Sequence, residues 1–396
     1  MTERAIAGAI AVPELVLGIV RTLEEAGHEA WCVGGALRDA LLGLQHADFD
    51  VATAARPEQV RALFRRTVPV GERFGTIGVL DRNGVLHEVT TFRRDVITDG
   101  RHAVVEYGVS LEDDLARRDF TINALAYHPL RGEWRDPFGG TGDLRAGLVR
   151  AVGAAEERFR EDFLRILRGL RFAARFQFAI DPATWAAMRA EAPGLAALSA
   201  ERVRDEWFKG VRTATTIGAL TELWIDSGAA AVWLPELRRV DPALDELLSV
   251  EPRDPVLLTV ALAPRPGDVL RRLKASNAEI ARAEEIAAAP LAPVATDEAA
   301  VRRWLARTGE RAADVLRMHE LIHGKPAPWL DIVWRVRSRG DAWSRRQLAI
   351  DGNQLLALGL TGPAVGRVLD ALLERVLDDP SLNTREKLLA LARELA

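Results

Sequence analysis

Cys32 is the single cysteine of this 396-residue chain. A disulfide framework is therefore excluded, and a reducing, cytosolic setting is expected. Long apolar runs are missing too: none approaches the ~20 residues that span a bilayer. The apolar stretch at residues 5–12 is cut short by Pro13 and Glu14. A secretory signal needs a longer apolar region and a small-residue cleavage site, so a soluble, cytoplasmic protein is expected. Charge of one sign is not in excess either, since 53 Lys and Arg face 57 Asp and Glu, for a net −4. That balance argues against non-specific coating of nucleic acid but leaves a local basic face open. There is no repeat with a period of roughly 20–50 residues and no low-complexity tail.

What is present divides by periodicity. Hydrophobic residues make up 48% of the chain and charged residues 28%, the balance of a soluble globular protein. At ~150 residues per domain, the length suits two to four units. PELVLGIVRTLEEAGHEA reads as an amphipathic helix with Pro13 at its first turn and Gly27 at its end. The runs AWCVGG, DFDVAT, GTIGVL and LHEVTTF are rich in β-formers and bounded by Gly or Asp, so they predict strands. From about Val149 the sequence predicts helix after helix, beginning with ERFREDFLRILRGLRFAARF and AERVRDEWFKGVRT, with proline-rich breaks near 251–266, 290–293 and 325–329. The expected fold is α+β: a mixed-sheet head over residues 1–148, then an elongated all-α neck (149–210), body (211–310) and tail (311–396).

The head carries the chemistry. In WCVGGALRD an apolar strand runs into Gly34-Gly35 and a helix begins at once. Glycines there permit close backbone approach to a ligand, and the first helical turn offers N–H groups to phosphate. Arg38 sits on those first turns, where its charge suits phosphate. Asp48-Phe49-Asp50 follows. On a strand, residues i and i+2 share a face, so Asp48 and Asp50 can share divalent cations of the kind that assist in-line phosphoryl transfer. Magnesium suits such hard oxygen ligands. Taken alone, D-x-D is usually a solvated turn; the ordered set of strand, glycine pair, Arg-Asp and D-x-D is far more specific.

The segment GGALRDALLGLQHADFDVAT resembles the signature of the polymerase-β-like nucleotidyltransferases, and in particular class II tRNA CCA-adding enzymes and bacterial poly(A) polymerases. The resemblance covers residues 33–178 strongly and the remaining helices only in general character. It implies that Asp48 and Asp50 are catalytic metal ligands and that Gly34, Gly35 and Arg38 meet the nucleotide. Glu88 in LHEVTTF is the candidate for a third acidic residue. RRDFTINA at 117–124 is similar to a second family block. There Arg118 is expected to bind the triphosphate, and Asp119 and Asn123 to shape the sugar pocket. Taken alone, RRD reads as a surface ion-pair cluster. DPFGGTGDL at 136–144 corresponds to a hinge between head and neck.

Residues 158–175 are dense in arginine, and Asp162, Arg165, Arg168 and Arg171 follow one another by three, as a band along a helix. The plain alternative is a solvated helix laced with ion pairs. The resemblance implies something sharper: Glu161-Asp162-Phe163-Leu164-Arg165 matches the E-D-x-x-R block that selects the incoming base without a nucleic-acid template. A carboxylate accepts and a guanidinium donates, which suits the Watson–Crick edges of cytosine and adenine. Arg168 and Arg171 resemble further nucleotide-contacting arginines. The implied activity is addition of C, C and A to the 3′ end of tRNA from CTP and ATP, with magnesium as cofactor. CC-only, A-only and poly(A) addition use the same motifs. The interval RRDVITDGRHAVVEYGVSLEDDLA is expected to supply the flexible loop of full CCA-adding relatives. Arg202, Lys209, Arg271, Arg272 and Lys274 are candidates for tRNA contact, without a choice among them.

Two readings from other classes compete. His319-Glu320-Leu321-Ile322-His323 matches the zincin pattern H-E-x-x-H, but the helix is expected to end at Gly324 and no third histidine follows in the metzincin spacing. A pure RNA-binding module would explain the basic helix and leave the head motifs unexplained.

Overall fold

The computed structural model describes residues 10–44, 49–71, 75–98 and 103–395. The chain forms two compact units, Met1–Arg239 and Val240–Ala396.

In the first unit, α1 (Glu14–Glu25) buries Val16, Ile19, Val20 and Leu23. That spacing is the apolar stripe of an amphipathic helix. The chain then turns at Gly27, whose φ is +83°, and enters β1 (Ala30–Val33). The succeeding elements are α2 (Gly35–Leu41), β2 (Asp50–Thr53), α3 (Pro57–Leu63), β3 (Thr67–Gly71), β4 (Thr76–Leu80), β5 (Leu86–Thr91), β6 (Arg93–Thr98), β7 (Ala103–Tyr107), α4 (Leu111–Ala116), β8 (Ala126–His128), β9 (Glu133–Arg135) and α5 (Gly140–Ala146). Among the described residues, seven strands form one sheet in the order β3-β4-β5-β2-β1-β8-β9. It is mixed: β2 lies antiparallel to β1 and parallel to β5, with Val51 opposite Val89.

The four predicted strand runs form β1, β2, β4 and β5. β3 escaped prediction because Pro69 interrupts its pattern, and an edge strand tolerates proline. The interval expected as a loop holds the antiparallel hairpin of β6 and β7, followed by α4. Trp31, Val33, Ala52, Phe92, Leu115 and Ala126 pack together beneath the sheet.

The sequence predicted no strand beyond Val149. The structure corrects this with a short parallel pair, β10 (Leu148–Val149) and β11 (Ala179–Ile180). It also corrects the arginine-rich helix, which is two helices: α6 (Ala155–Glu161) and α7 (Leu164–Phe176). Asp162 has left helical geometry at φ −156° and ψ 102°, and its carboxylate accepts the Leu164 N–H at 3.1 Å. A short acidic side chain offers the backbone this alternative to helical bonding. α8 (Pro182–Glu191) and α9 (Ala200–Thr213) follow.

The second unit is helical throughout its described residues. One core gathers Trp304, Leu305, Val315, Trp329, Val333 and Val336; another gathers Leu355, Leu372, Val376 and Leu388. Arg302, 3% exposed, is anchored by Asp341 at 3.1 Å and by the Leu377 and Asp378 carbonyls. His319 and His323 occupy the helix Ala312–His323, which ends at Gly324 with φ +68°. The zincin expectation for His319, Glu320 and His323 does not survive. The buried His319 ring lies edge-on to Trp329 at 4.8 Å and against His323 at 4.3 Å, while Glu320 pairs with Arg317. His319 is a packed helix residue, and among the described residues no group of three or more His, Cys, Asp or Glu is placed to hold a metal ion.

Candidate active site

A cavity of about 500 Å3 opens in the first unit, lined by eight arginines against three aspartates. In a chain of net charge −4, that concentration of guanidinium suits an anionic ligand.

Its floor is the end of β1 and the start of β2. Val33 pairs with Asp50 across the two strands. Gly34 then takes φ +83° and ψ −148°, a region essentially reserved for glycine. A Cβ there would sit 3.3 Å from Asp50 Oδ2 and 3.4 Å from Arg118 Nη1, so the missing side chain keeps a cradle open between a carboxylate and a cation. Hard carboxylate oxygen beside open space suits a magnesium-type cation, which keeps positions free for substrate oxygens. Asp48, the other expected ligand, lies outside the described residues. Glu88 is exposed, and the Val51–Val89 register puts it on the same sheet face as Asp50. Cys32, beneath this floor, is no nucleophile: burial, with the Asp50 charge added, pushes its thiol up to about 12.

Arg38 turns inward from α2. It is 4% exposed, holds Asp39 Oδ1 through Nε at 2.8 Å and donates Nη1–H to Asn123 Oδ1. Phe172 and Phe176 of α7 present their rings to its guanidinium, each 4.9 Å from the centroid. Asn123 passes the network on, donating to Asp119 Oδ1 at 2.9 Å. Asp119 Oδ2 accepts Arg168 Nε–H at 2.7 Å. Burial opposes ionisation of Asp119, yet the Arg168 charge and the Asn123 and Phe120 hydrogen bonds hold its carboxyl at about 2. The predicted Arg38, Asp119, Asn123 and Arg168 thus form one continuous chain of charge-assisted bonds.

Arg118 lies on the same wall. Asp114, one turn earlier, holds Arg117 Nη2 at 2.8 Å and Arg118 Nη2 at 3.1 Å. Its side chain is 1% exposed. Although burial resists the charge, the two arginines keep its carboxyl below the ordinary range.

On the opposite wall stands the break between α6 and α7. The two residues expected to read the base do not bond to each other. Arg165 Nη1 pairs with Glu161 at 2.6 Å and also donates to the Arg158 carbonyl, while Nη2 donates to the Arg117 carbonyl. Asp162 Oδ2 instead accepts Arg202 Nη2–H at 2.7 Å from α9. A second tie joins the same helices, the buried pair Arg171–Glu206 at 2.6 Å. Arg171 lines the cavity, but that carboxylate engages its Nε. Arg175 Nη2 clamps Asp39 Oδ2 at 2.9 Å, tying α7 to α2.

Every expected site residue among those described lines this cavity: Gly34, Gly35, Arg38, Asp50, Arg118, Asp119, Asn123, Asp162, Arg165, Arg168 and Arg171. Sequence reasoning missed Asp39, Asp114, Arg117, Arg175 and Glu206, and it placed Arg202 only among general RNA contacts. Asp114 carried a usable signal, since it precedes Arg117 and Arg118 by three and four residues. Arg202 and Glu206 carried none that one sequence reveals. Lys209 is exposed near Glu206, and Arg271 pairs with Asp268 and Glu284 in the second unit.

The chain is similar to known proteins along most of its length. Residues 30–150 match the family described as "Poly A polymerase head domain", and residues 177–240 match "Probable RNA and SrmB- binding site of polymerase A". The CCA-adding enzyme of Geobacillus stearothermophilus is 35% identical over 94% of this chain and 95% of its own. That of Latilactobacillus sakei is 35% identical over 95% and 97%. The crystal structure of the Bacillus stearothermophilus CCA-adding enzyme in complex with CTP superposes with a TM-score of 0.79 at 33% identity, covering 96% of both chains. On full-length identity, head model and superposed fold together, the chain belongs to the CCA-adding enzyme family of nucleotidyltransferases.

Proposed function

We propose that this chain adds C, C and A in turn to the 3′ end of tRNA, using CTP and ATP and releasing pyrophosphate, with magnesium held by Asp48 and Asp50. The observation that carries this is one arginine-rich cavity whose lining joins Gly34 and Asp50 of the head to Asp162 and Arg165 of the neck.

The terminal ribose 3′-hydroxyl of the RNA attacks the α-phosphorus of the bound nucleotide. A P–O bond forms as the hydroxyl proton passes to solvent, the bond to the β-phosphate oxygen breaks, and pyrophosphate leaves with the electron pair. Magnesium, when bound, polarises the phosphate and lowers the charge repulsion that opposes attack. Asp50 supplies its ligand oxygen from a strand end, where β1 and β5 fix the backbone on both sides. Arg118, braced by Asp114, presents fixed positive charge to the triphosphate. Arg38 has its donors engaged by Asp39 and Asn123, so it contributes by charge and by orienting Asn123 toward the sugar.

Base choice belongs to the neck. Asp162 Oδ1 accepts the Leu164 N–H and Oδ2 accepts Arg202, which leaves each oxygen a further lone pair for the exocyclic amino group of C or A. Arg165 donates to the ring nitrogen beside that amino group. G and U present a carbonyl where the amino group stands, so the Asp162 carboxylate would meet an acceptor, and unpaired polar groups in a closed pocket discriminate strongly.

Among the described residues no helix is long and apolar enough to cross a membrane; a cytoplasmic location agrees with the substrates. Incubation with magnesium and tRNA ending at the discriminator base, at C or at CC, with each labelled NTP offered singly, tests the assignment. C should enter the first two and A the third. Incorporation of C alone would make the protein a CC-adding enzyme, and no incorporation would refute the assignment.

A further inference from the structure

Trp334 stands out in the second unit. It lies on the helix Leu330–Ser338, whose Val333 and Val336 face the core, yet Trp334 itself is 64% exposed. Trp31, Trp207, Trp224, Trp304 and Trp329 are each 5% exposed or less. An indole in water forfeits the burial that makes tryptophan worth placing, so its exposure on a well-packed helix calls for an occupant.

The neighbouring charges say which. Arg337 follows at i+3, on the same helix face, and Arg335 stands one position round; both are exposed. Among the described residues neither makes an ion pair. Arg339, two positions on, is held by Glu298 and Asp341; Glu298 reaches Arg335 only as a longer-range charge, so Arg335 and Arg337 stand beside the indole without a close counter-charge. An aromatic face flanked by two open guanidinium groups complements RNA: the ring stacks on a base while the cations meet phosphate. A protein partner would more readily meet an apolar surround, and this one is charged.

We infer that Trp334, with Arg335 and Arg337, is a stacking platform for a nucleobase of the tRNA substrate. Bases inside an A-form duplex are covered on both faces, so the base it takes comes from a loop or a helix end. The inference rests on the reading of the chain as a tRNA nucleotidyltransferase and adds a place at which that tRNA is held.

Steady-state incorporation of C into tRNA lacking its CCA end tests it. W334A should raise the KM for tRNA by about five- to a hundred-fold, without a matching rise in the KM for CTP, and W334F should restore the KM to within about twofold because it keeps a stacking face. Replacing Arg335 and Arg337 with Ala should flatten the dependence of log K on log salt by about two. An unchanged KM for tRNA in W334A overturns the inference, as does a loss that W334F shares. A change of oligomeric mass with no change in KM would assign the surface to a second copy and equally overturn it. Quenching of indole fluorescence by the same tRNA, wild type minus W334F, needs no turnover. It therefore separates this inference from the CCA assignment: quenching in the difference supports the platform even in a protein that incorporates nothing, and its absence refutes it.

Discussion

Asp162 Oδ2 lies 2.7 Å from Arg202 Nη2, while Arg165, three residues along, bonds to Glu161 instead. The carboxylate proposed to read the base is therefore positioned from α9. Removing that hold should blur base choice more than it slows transfer. In R202A, incorporation of C and A relative to U and G should fall by about tenfold, the value of one hydrogen bond of ~1.4 kcal/mol, and R202K should recover part of it. Competition between labelled NTPs measures the ratio; unchanged selectivity with reduced kcat would contradict the positioning role.

Asp114 is the buried counter-charge of Arg117 and Arg118. Asp114→Ala leaves two guanidinium groups uncompensated, a change that costs roughly 3 kcal/mol when a buried pair loses one partner. The urea midpoint should drop accordingly. Activity should fall further than stability explains, because Arg118 loses its orientation. A variant of wild-type kcat/KM would remove Arg118 from the triphosphate site.

Gly34→Ala tests the cradle. The backbone at φ +83° and ψ −148° costs a side chain about 1–3 kcal/mol, and the new Cβ would stand 3.3 Å from Asp50 Oδ2. Transfer should collapse while the fold persists, with circular dichroism intact and Tm lowered. Normal activity would show that nothing needs the space beside Asp50.

Asp119 sets a pH signature. Its carboxyl lies at about 2 when folded, below the ordinary 3.8, so the ionised group stabilises the fold at every pH above about 4 and that contribution fades as pH falls from 4 towards 2. The stability gap between wild type and Asp119→Asn should be constant from about pH 8 to 5 and shrink below about pH 4. A gap that widens in acid would mean the group is not held ionised by Arg168.

Asp50→Ala should abolish transfer and leave tRNA binding largely intact, since the role proposed for Asp50 is to hold metal at the reacting phosphate and not to grip the bulk of the RNA. Chelation of divalent ions should reproduce the loss in the wild type, and added magnesium should reverse it. Retained activity in the variant would refute the metal assignment.

Much of this site was legible in the sequence because its parts are local: the glycine turn, Asp50 and RRDFTINA each sit within a few residues of their neighbours in the motif. The strand runs were legible for the same reason, alternation being a property of the segment itself. The break at Asp162 was not, because the arginine-rich run keeps helical periodicity straight through a residue whose carboxylate caps the next helix. Arg202 and Glu206 were not legible either, since their partners lie 40 and 35 residues away and only the packing of α7 on α9 brings them together. β3 hid behind Pro69, which an edge strand accepts and a pattern search rejects.

The central claim is that one cavity both transfers nucleotides and chooses C or A without a template. Sequencing the 3′ ends of tRNA incubated with the protein, magnesium and all four NTPs at equal concentration tests it most directly. The account predicts ends that stop at CCA, with Asp162→Ala giving mixed bases at the same positions. Unextended ends, a poly(A) tail, or CCA ends that persist unchanged in Asp162→Ala would contradict it.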